Sequence, residues 1–250
     1  MENSTNSGSL QPRAGSFAST HWSVVLLAGG ARESPEVREA LAHLCSSYWY
    51  PLYVFIRRQG HSADDAEDLT QEFFTRFLEN GFLSTVEKSG GKFRTFLLAC
   101  CRHFLANERD FARAQKRGGG RPTLSLDFSV AADRYRAEPS SAESAERLFE
   151  RRWALTVLEQ VLEQLQREYQ ADDRGELFAH LRSVLVGATE ALSYGQIGAD
   201  LGMNEAAVRK AAQRLRQRYR SVLRERIAAT VDDPGKIDDE IRDLFAALSS

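Results

Sequence analysis

The chain has 250 residues, 42% hydrophobic and 27% charged, with a formal net charge of −2. These values are typical of a globular protein, and no apolar run reaches the length of a membrane-spanning helix. The three cysteines Cys45, Cys100 and Cys101 lack C-x-x-C spacing. This pattern argues against a disulfide framework and a zinc site, and it favours a reducing cytoplasmic location.

The positive charge is concentrated in two segments. Residues 92–121 and residues 204–226 each contain eight Lys or Arg and only two acidic residues. Each segment therefore carries +6, and the remainder of the chain carries −14. This segregation predicts two positive surfaces for phosphate groups and separate acidic surfaces for another partner.

Nearly every apolar pattern has helical spacing, so the sequence predicts an all-α fold. Residues 1–19 are rich in Ser, Asn and Gly and are predicted to form a disordered N-terminal tail. We expect a helix near Thr20 and a second from Pro35 to a stop at Gly60. Pro51 lies inside that second pattern and is predicted to kink or break the helix.

An acidic helix is predicted next, in the stretch DDAEDLTQEFF (64–74). Ser62 and Asp65 have capping-box spacing, and Asn80-Gly81 is predicted to stop the helix. Its predicted buried stripe is Ala66, Leu69, Phe73, Phe77 and Leu78.

The opposite face of this helix is strongly negative. Asp64, Asp68 and Glu72 follow one another at intervals of four, and Glu72 is placed to pair with Arg76. The residues leave two interpretations open, a solvated acidic face and a docking surface for a basic protein.

A basic helix is predicted from Lys92 to Lys116. Its buried side is expected to contain Leu97, Cys100, Cys101, Phe104 and Leu105. Cations beside aromatic residues suit single-stranded DNA, on which bases stack, but the pattern also fits an ordinary basic amphipathic helix. Residues 119–145 lose helical periodicity and are predicted to be a flexible linker between two domains.

The second basic segment has the pattern of a helix-turn-helix. Ser193 and Gln196 form a capping box for a short helix, Gly202 suits the turn, and Asn204 caps a longer helix. That longer helix is expected to bury Val208, Ala212, Leu215, Tyr219 and Val222. Its opposite face is rich in Arg, Lys and Gln, which reach phosphates and base edges in the major groove.

Two glycines lie inside the short helix of this pattern. Gly195 and Gly198 lower its intrinsic stability, and we expect them to be explained by close helix packing.

The C-terminal segment is acidic and amphipathic. Its apolar stripe, Ile237, Ile241, Leu244, Phe245 and Leu248, is predicted to pack on the second domain. An alternative hypothesis is that its acidic residues shield the basic recognition helix. Those residues are Asp232, Asp233, Asp238, Asp239 and Glu240.

The sequence contains no phosphate-cradling loop, nucleophile elbow or calcium loop, and its five histidines are scattered. We therefore expect no catalytic residue, no metal site and no cofactor.

Three stretches together resemble one bacterial family. They are DDAEDLTQEFFTRFL (64–78), GKFRTFLLACCRHFLANERD (91–110) and LSYGQIGADLGMNEAAVRKAAQRLRQR (192–218). Their order and spacing are similar to those of extracytoplasmic-function (ECF) RNA polymerase sigma factors, over about residues 35 to 228. HWSVVLLAG (21–29) and YWYPLYVFIRRQG (48–60) are similar to longer variants of planctomycete-type bacteria.

The resemblance implies a division of the chain into two small helical domains. Sigma domain two would span residues 20–118, and sigma domain four, with the helix-turn-helix, residues 146–230. The linker 119–145 would join them, and residues 231–250 would be an acidic amphipathic extension.

The resemblance also implies the site residues. Docking on the beta-prime clamp of core polymerase would use Asp65, Asp68, Leu69, Gln71 and Glu72. Recognition and melting of the minus-ten element would use Lys92, Arg94, Phe96, Arg102, His103, Asn107, Arg109, Arg113, Lys116 and Arg117. Recognition of the minus-thirty-five element would use Asn204, Glu205, Arg209, Lys210, Gln213, Arg214, Arg216 and Arg218.

The expected partners follow from these roles. They are core RNA polymerase, through its beta-prime clamp and beta flap, and promoter DNA in duplex and melted form, with an anti-sigma factor or regulatory kinase as further candidates and no membrane. The alternative is a stand-alone helix-turn-helix regulator that binds DNA without polymerase. A third reading is a protein-interaction adaptor whose basic faces are only solvated.

Overall fold

The computed structural model describes residues 35–79, 92–114, 126, 128, 131–136, 143–185, 187 and 192–249. Within these ranges the secondary structure is helical, with no strand, which confirms the prediction of a helical fold. The helices are α1 (Pro35–Arg58), α2 (Ala63–Glu79), α3 (Phe93–Ala114), α4 (Ala131–Arg136), α5 (Ala145–Ala171), α6 (Gly175–Leu185), α7 (Tyr194–Leu201), α8 (Glu205–Ala228), a 3-10 turn (Pro234–Lys236) and α9 (Ile237–Leu248). In these ranges no helix has the length and apolar character needed to cross a bilayer.

Helix α1 continues through Pro51, so the predicted break at this residue is wrong. The proline lies in a fully packed stretch in which Leu52, Phe55 and Ile56 are buried. Helices in proteins gain most of their stability from such packing, which here outweighs the hydrogen bond that a proline removes. Gly60 has a φ of 94° just after the helix, as predicted for its stop.

Helices α1 and α5 form the most extensive helix pairing of the described fold. Tyr48 and Phe55 of α1 and Trp153 of α5 are buried in the same hydrophobic core. The Ser47 hydroxyl donates a hydrogen bond to the Gln160 side chain across this contact, at 2.9 Å. Helices that the sequence assigns to different domains therefore share one continuous core, and the division into two domains stays a prediction.

Aromatic residues join α2 and α3 to this core. Phe73 of α2 lies 5.7 Å from Phe104 of α3, and Phe93 lies edge-on to Tyr48 of α1 at 5.0 Å, measured between ring centroids. Edge-on pairs at this spacing are favoured geometrically. Phe73 and Phe77 are buried as predicted, whereas Phe74 is buried without having been predicted. The side chain of Leu78 lies outside the described ones.

The described part of the predicted linker packs against the core. Residues 131–136 form α4, and the Arg134 guanidinium lies 4.2 Å from the centroid of the Tyr50 ring in α1. Phe128 contacts Trp49 edge-on at 5.1 Å. Part of the predicted linker is therefore helical and contacts α1, and the flexibility of 119–145 stays a prediction.

Several predicted features lie outside the described residues. These are the tail 1–19, the helix near Thr20, the stop at Asn80-Gly81 and the stretch 115–125 with Lys116 and Arg117.

Candidate partner and nucleic-acid interfaces

The acidic face of α2 begins at a side-chain cap. The Ser62 hydroxyl accepts a hydrogen bond from the Asp65 backbone N–H at 3.1 Å and donates one to the Asp65 carboxylate at 2.7 Å. The cap is thus present, although the Asp65 side chain meets the Ser62 hydroxyl and not its backbone N–H. Asp64, Asp65 and Asp68 are exposed, and none of them has an ion-pair partner in the described part of the chain.

The C-terminal half of this face is tied to α3. Glu72 pairs with Arg76 at 2.6 Å, as predicted, and Arg76 also pairs with Glu108 of α3 at 2.7 Å. Leu69 and Gln71 are partly exposed beside Asp68. Of the five predicted docking residues, Asp65 and Asp68 are therefore the acids that carry no ion pair within the described ranges, whereas Glu72 is partly engaged by Arg76.

Glu67 lies on the same face, and its surroundings raise the pKa of its carboxyl group. Partial burial raises the pKa of its carboxyl, and the negative charges of Asp64 and Asp68 raise it further. The second of these effects shows that the negative charges on this face are close enough to repel one another.

Helices α7 and α8 are joined by a short turn with three predicted features. The Ser193 hydroxyl and the Gln196 side chain form the reciprocal capping box at the start of α7. Gly202 has a φ of 64°, a conformation that favours glycine. The Asn204 side chain accepts a hydrogen bond from the Ala207 backbone N–H at 2.8 Å and so caps α8.

The two glycines of α7 have different surroundings. A Cβ atom at Gly198 would lie 2.5 Å from the Met203 carbonyl oxygen, so close helix approach requires glycine there. At Gly195 the nearest atom would be a Glu205 carboxylate oxygen at 3.7 Å, an ordinary contact. The predicted close packing is confirmed for Gly198 and wrong for Gly195.

The N-terminal half of α8 presents an exposed polar row. Lys210, Gln213 and Arg214 are exposed, and neither Lys210 nor Arg214 has an ion-pair partner among the residues that the structure describes. Arg209 is also exposed and pairs with Glu205 one turn earlier, at 2.6 Å. Beneath this row, Val208, Ala212 and Leu215 are buried as predicted.

Two predicted contact residues of α8 are engaged by other side chains of the same protein. Two guanidinium nitrogens of Arg218 donate hydrogen bonds to the two carboxylate oxygens of Glu168 in α5, at 2.9 and 2.7 Å. This is the bidentate geometry of a charge-assisted pair. Arg216 donates to the Tyr194 hydroxyl of α7 at 3.0 Å. In this conformation Arg218 holds α8 on α5, and it does not extend the exposed row of Lys210 and Arg214.

The start of α3 departs most from expectation. Arg94, predicted to contact DNA, is buried, and its guanidinium binds both oxygens of the buried Glu240 carboxylate in α9, at 2.7 and 3.0 Å. The same guanidinium pairs with Glu150 of α5 and lies 4.6 Å from the Trp153 ring centroid. In this conformation Arg94 is therefore withdrawn from any nucleic acid.

Lys92, also predicted to contact DNA, lies beside Arg94. Its amino group pairs with Glu240 at 2.8 Å and with Asp243. Hydrogen bonds to these two carboxylates raise the lysine pKa against an opposing effect of partial burial, which is the larger single contribution. Lys92, Arg94, Glu150, Glu240 and Asp243 are called the charge cluster below.

The remaining predicted minus-ten residues differ in exposure and in their contacts. Arg102 is exposed and pairs with Glu146 of α5 at 2.6 Å. His103 and Asn107 are exposed on the same side of α3, and Phe96 is partly buried against Phe77. The backbone of α3 is described as far as Ala114, but the side chains of Arg109 and Arg113 are not.

The acidic tail packs on the second half of the chain, as predicted. Leu244 of α9 is buried, and α9 contacts α5 and α8, although Phe245 from the predicted apolar stripe is 47% exposed. The shielding hypothesis is not supported in its original form. Asp238 pairs with Arg224, near the C-terminal end of α8, and not with the exposed row that includes Lys210 and Arg214.

Sequence reasoning missed the charge cluster because its members come from α3, α5 and α9. Glu240 was seen only as one acid in an amphipathic helix. Its position one turn before the buried Leu244, on the apolar side of α9, was the available signal that it is buried and paired.

Searches against protein-family models, curated proteins and solved structures find no match for this chain.

Proposed function

We propose that the protein is a promoter-specificity (sigma) subunit that binds core RNA polymerase and directs transcription initiation. One observation carries the proposal. An exposed acidic face on α2 and an exposed basic row on α8 coexist in one chain, and the acids of the first do not neutralise the bases of the second. Asp64, Asp65 and Asp68 are thus available to a basic partner while Lys210 and Arg214 are available to phosphates.

The unit formed by α7 and α8 supports the DNA-binding half of the proposal. A capped short helix, a glycine turn and a capped second helix with exposed Lys, Gln and Arg in its first turns fit a helix-turn-helix. Lys210 and Arg214 would contact phosphates, and Gln213 between them has the donors and acceptor needed to read a base edge.

The acidic face supports the polymerase-binding half. It keeps like charges adjacent, which costs a few tenths of a kcal/mol for each pair, and the described part of the chain does not compensate Asp68. Such uncompensated charge fits a docking surface for a basic coiled coil. The protein acts without catalytic chemistry of its own in this proposal.

Run-off transcription with purified bacterial core polymerase on a genomic fragment library tests the proposal. We expect specific starts with the wild type and their loss in Asp68→Arg, which reverses an exposed charge that has no ion-pair partner in the described ranges. Glu176→Arg, a reversal of an exposed acid on α6, is the matched control and should retain the starts.

A second candidate, the stand-alone regulator, makes a different prediction in the same experiment. It requires tight duplex binding without core polymerase and no effect of Asp68→Arg on that binding. Specific duplex binding with no polymerase-dependent start would replace the sigma proposal with this one.

A further inference from the structure

We propose that α9 is an autoinhibitory element, which holds the protein in a closed conformation by occupying the basic start of α3 with carboxylates in the place of DNA phosphates. The inference rests on the proposed function and adds a regulation to it. The contact has three parts, namely the charge cluster, a backbone pairing and the seating of α9 on α5 and α8.

The charge cluster is the first part. Arg94 and Lys92 are the first two basic residues of the segment predicted to engage the minus-ten element. Both are satisfied by Glu240 and Asp243 of α9, and Arg94 also by Glu150. Carboxylate and phosphate oxygens bind guanidinium groups with the same two-pronged geometry. The α9 carboxylates therefore compete with nucleic acid for the same donors.

A backbone pairing is the second part. Lys92 and Val231 form an antiparallel β-bridge, and the Phe93 N–H donates to the Thr230 carbonyl oxygen at 3.1 Å. Thr230 and Val231 are buried and follow Ala229, the C-cap residue of α8. The bridge joins the first turn of α3 to the end of α8 and brings Glu240 over Arg94.

The third part is the seating of α9 on α5 and α8. Helix α9 contacts both of these helices, and its Leu244 is buried in the same hydrophobic core as Trp153. The helix that carries Glu240 and Asp243 is therefore held in place by apolar packing as well as by charge.

In the described conformation Lys92 and Arg94 are bound by the α9 carboxylates and are not available to the phosphates of a minus-ten element. Binding of DNA by these two residues requires their contacts with Glu240 and Asp243 to open, and with them the adjoining Lys92–Val231 bridge. Core polymerase and promoter DNA, which bind the open form in the proposed function, would supply the free energy for this change by their preference for that form.

The contact between α9 and the start of α3 depends largely on ion pairs, which favours reversible opening. A buried ion cluster adds little net stability over apolar packing, because the desolvation of its charges opposes their attraction. It is, however, specific in geometry. Such an ion cluster can define the closed conformation without making it too stable for a partner to open.

The experiment uses the full chain and two neighbouring substitutions on α9. Asp243→Asn removes a charge that contacts Lys92 and Arg94, whereas Asp239→Asn removes a charge that, among the described residues, pairs only with Arg242 on the same helix. Glu240→Gln/Asp243→Asn is the stronger variant, which keeps the shape of both side chains and leaves Glu150 to satisfy Arg94.

Two quantities are measured for each variant. Hydrogen exchange in peptides that contain Phe93 and Val231 reports whether the bridge opens. Fluorescence anisotropy with a random-sequence duplex that contains a central unpaired stretch reports DNA affinity at fixed salt. We expect faster exchange at both sites and about tenfold tighter DNA binding in the double variant, within the usual range of such couplings. Asp239→Asn should match the wild type in both.

Three results would overturn the inference. Unchanged exchange in the double variant would show that the carboxylates do not hold the bridge. Faster exchange with unchanged DNA affinity would show that the contact is structural and inhibits nothing. Equal gains in Asp239→Asn and Asp243→Asn would show only reduced repulsion between the tail and DNA.

Failure of the proposed function has a different signature. If none of the proteins binds DNA although exchange at Phe93 rises in the double variant, DNA binding itself is excluded, and the inhibitory role falls with it. If all bind DNA equally well, the proposed function survives and only the regulation is overturned.

Discussion

Gly198 and Gly195 stand one helical turn apart and should respond in opposite ways to the same substitution. Gly198→Ala pushes a methyl group against the Met203 carbonyl and should destabilise the protein by about 1–3 kcal/mol. Gly195→Ala makes only ordinary contacts, the nearest at 3.7 Å, and should stabilise the protein by about 0.5 kcal/mol, because alanine restricts the unfolded chain. Urea unfolding of the two variants measures the difference. Equal effects would contradict the close approach at Gly198.

Cys100 and Cys101 should be unreactive in the folded protein. Burial raises the pKa of the Cys100 thiol to about 11 and raises that of Cys101 further, so that neither is a thiolate at neutral pH. We expect slow alkylation by iodoacetamide in native buffer and complete alkylation after denaturation, followed by mass spectrometry. Rapid native labelling of either cysteine would instead indicate an accessible, redox-competent site.

Single residues also show which features a sequence reveals. Ser193, Gln196, Gly202 and Asn204 are caps and turn residues whose partners lie within three or four positions, and all were predictable. Arg94 was not, because its partner Glu240 lies 146 positions away. A sequence pattern shows that Arg94 is basic, but only the packing of α9 shows that it is buried.

Helix α8 separates two roles for arginine along its length. Arg214→Ala should weaken DNA binding and reduce its salt dependence by about one counterion, with stability unchanged, because Arg214 is exposed and has no ion-pair partner in the described ranges. Arg218→Ala should lower stability by about 1 kcal/mol or less, because it releases an exposed pair with Glu168.

Anisotropy titrations at several salt concentrations and urea unfolding measure both effects. The assignment would be contradicted if Arg218→Ala changed the salt dependence as strongly as Arg214→Ala.

The contact between α5 and α8 should also depend on pH. The hydrogen bond from Arg218 holds the Glu168 pKa below its ordinary range, against a smaller effect of burial. A folded-state pKa below the unfolded value gives stability that is present above the unfolded pKa and is lost as pH falls through the folded pKa. Unfolding measured from pH 7 down to about pH 3 should therefore show an acid loss that is smaller in Glu168→Gln. An identical acid profile in both proteins would exclude this contribution.

The sequence predicted the helices themselves well, but it did not predict which helices pack against one another. Helical periodicity identified α2, α3, α8 and α9 because each has one apolar face. It did not show that α1 would lie along α5, since the apolar face of a helix does not specify which other helix covers it. The sequence did not decide between a kink and a break at Pro51 for a similar reason, because buried neighbours outweigh the local preference of proline and keep the helix unbroken.

The whole molecule should unfold as one unit. Tyr48 and Phe55 of α1 and Trp153 of α5 belong to one core, so separating the two predicted domains would expose a large apolar surface. We expect one thermal transition followed in parallel by circular dichroism and calorimetry, and a fragment ending at residue 118 should fail to fold alone. Two resolved transitions, or a folded fragment, would instead support independent domains.

The position of Trp153 gives the closed state an optical signature. Its indole ring is fully buried, and the Arg94 guanidinium lies over its face at 4.6 Å. While the indole is shielded from water, its fluorescence maximum lies at a short wavelength. Water that reaches the ring on opening would shift this maximum to longer wavelength. With Trp22 and Trp49 replaced by Phe, the tryptophan beneath the charge cluster would report the opening by stopped-flow fluorescence as DNA is added, without any attached label.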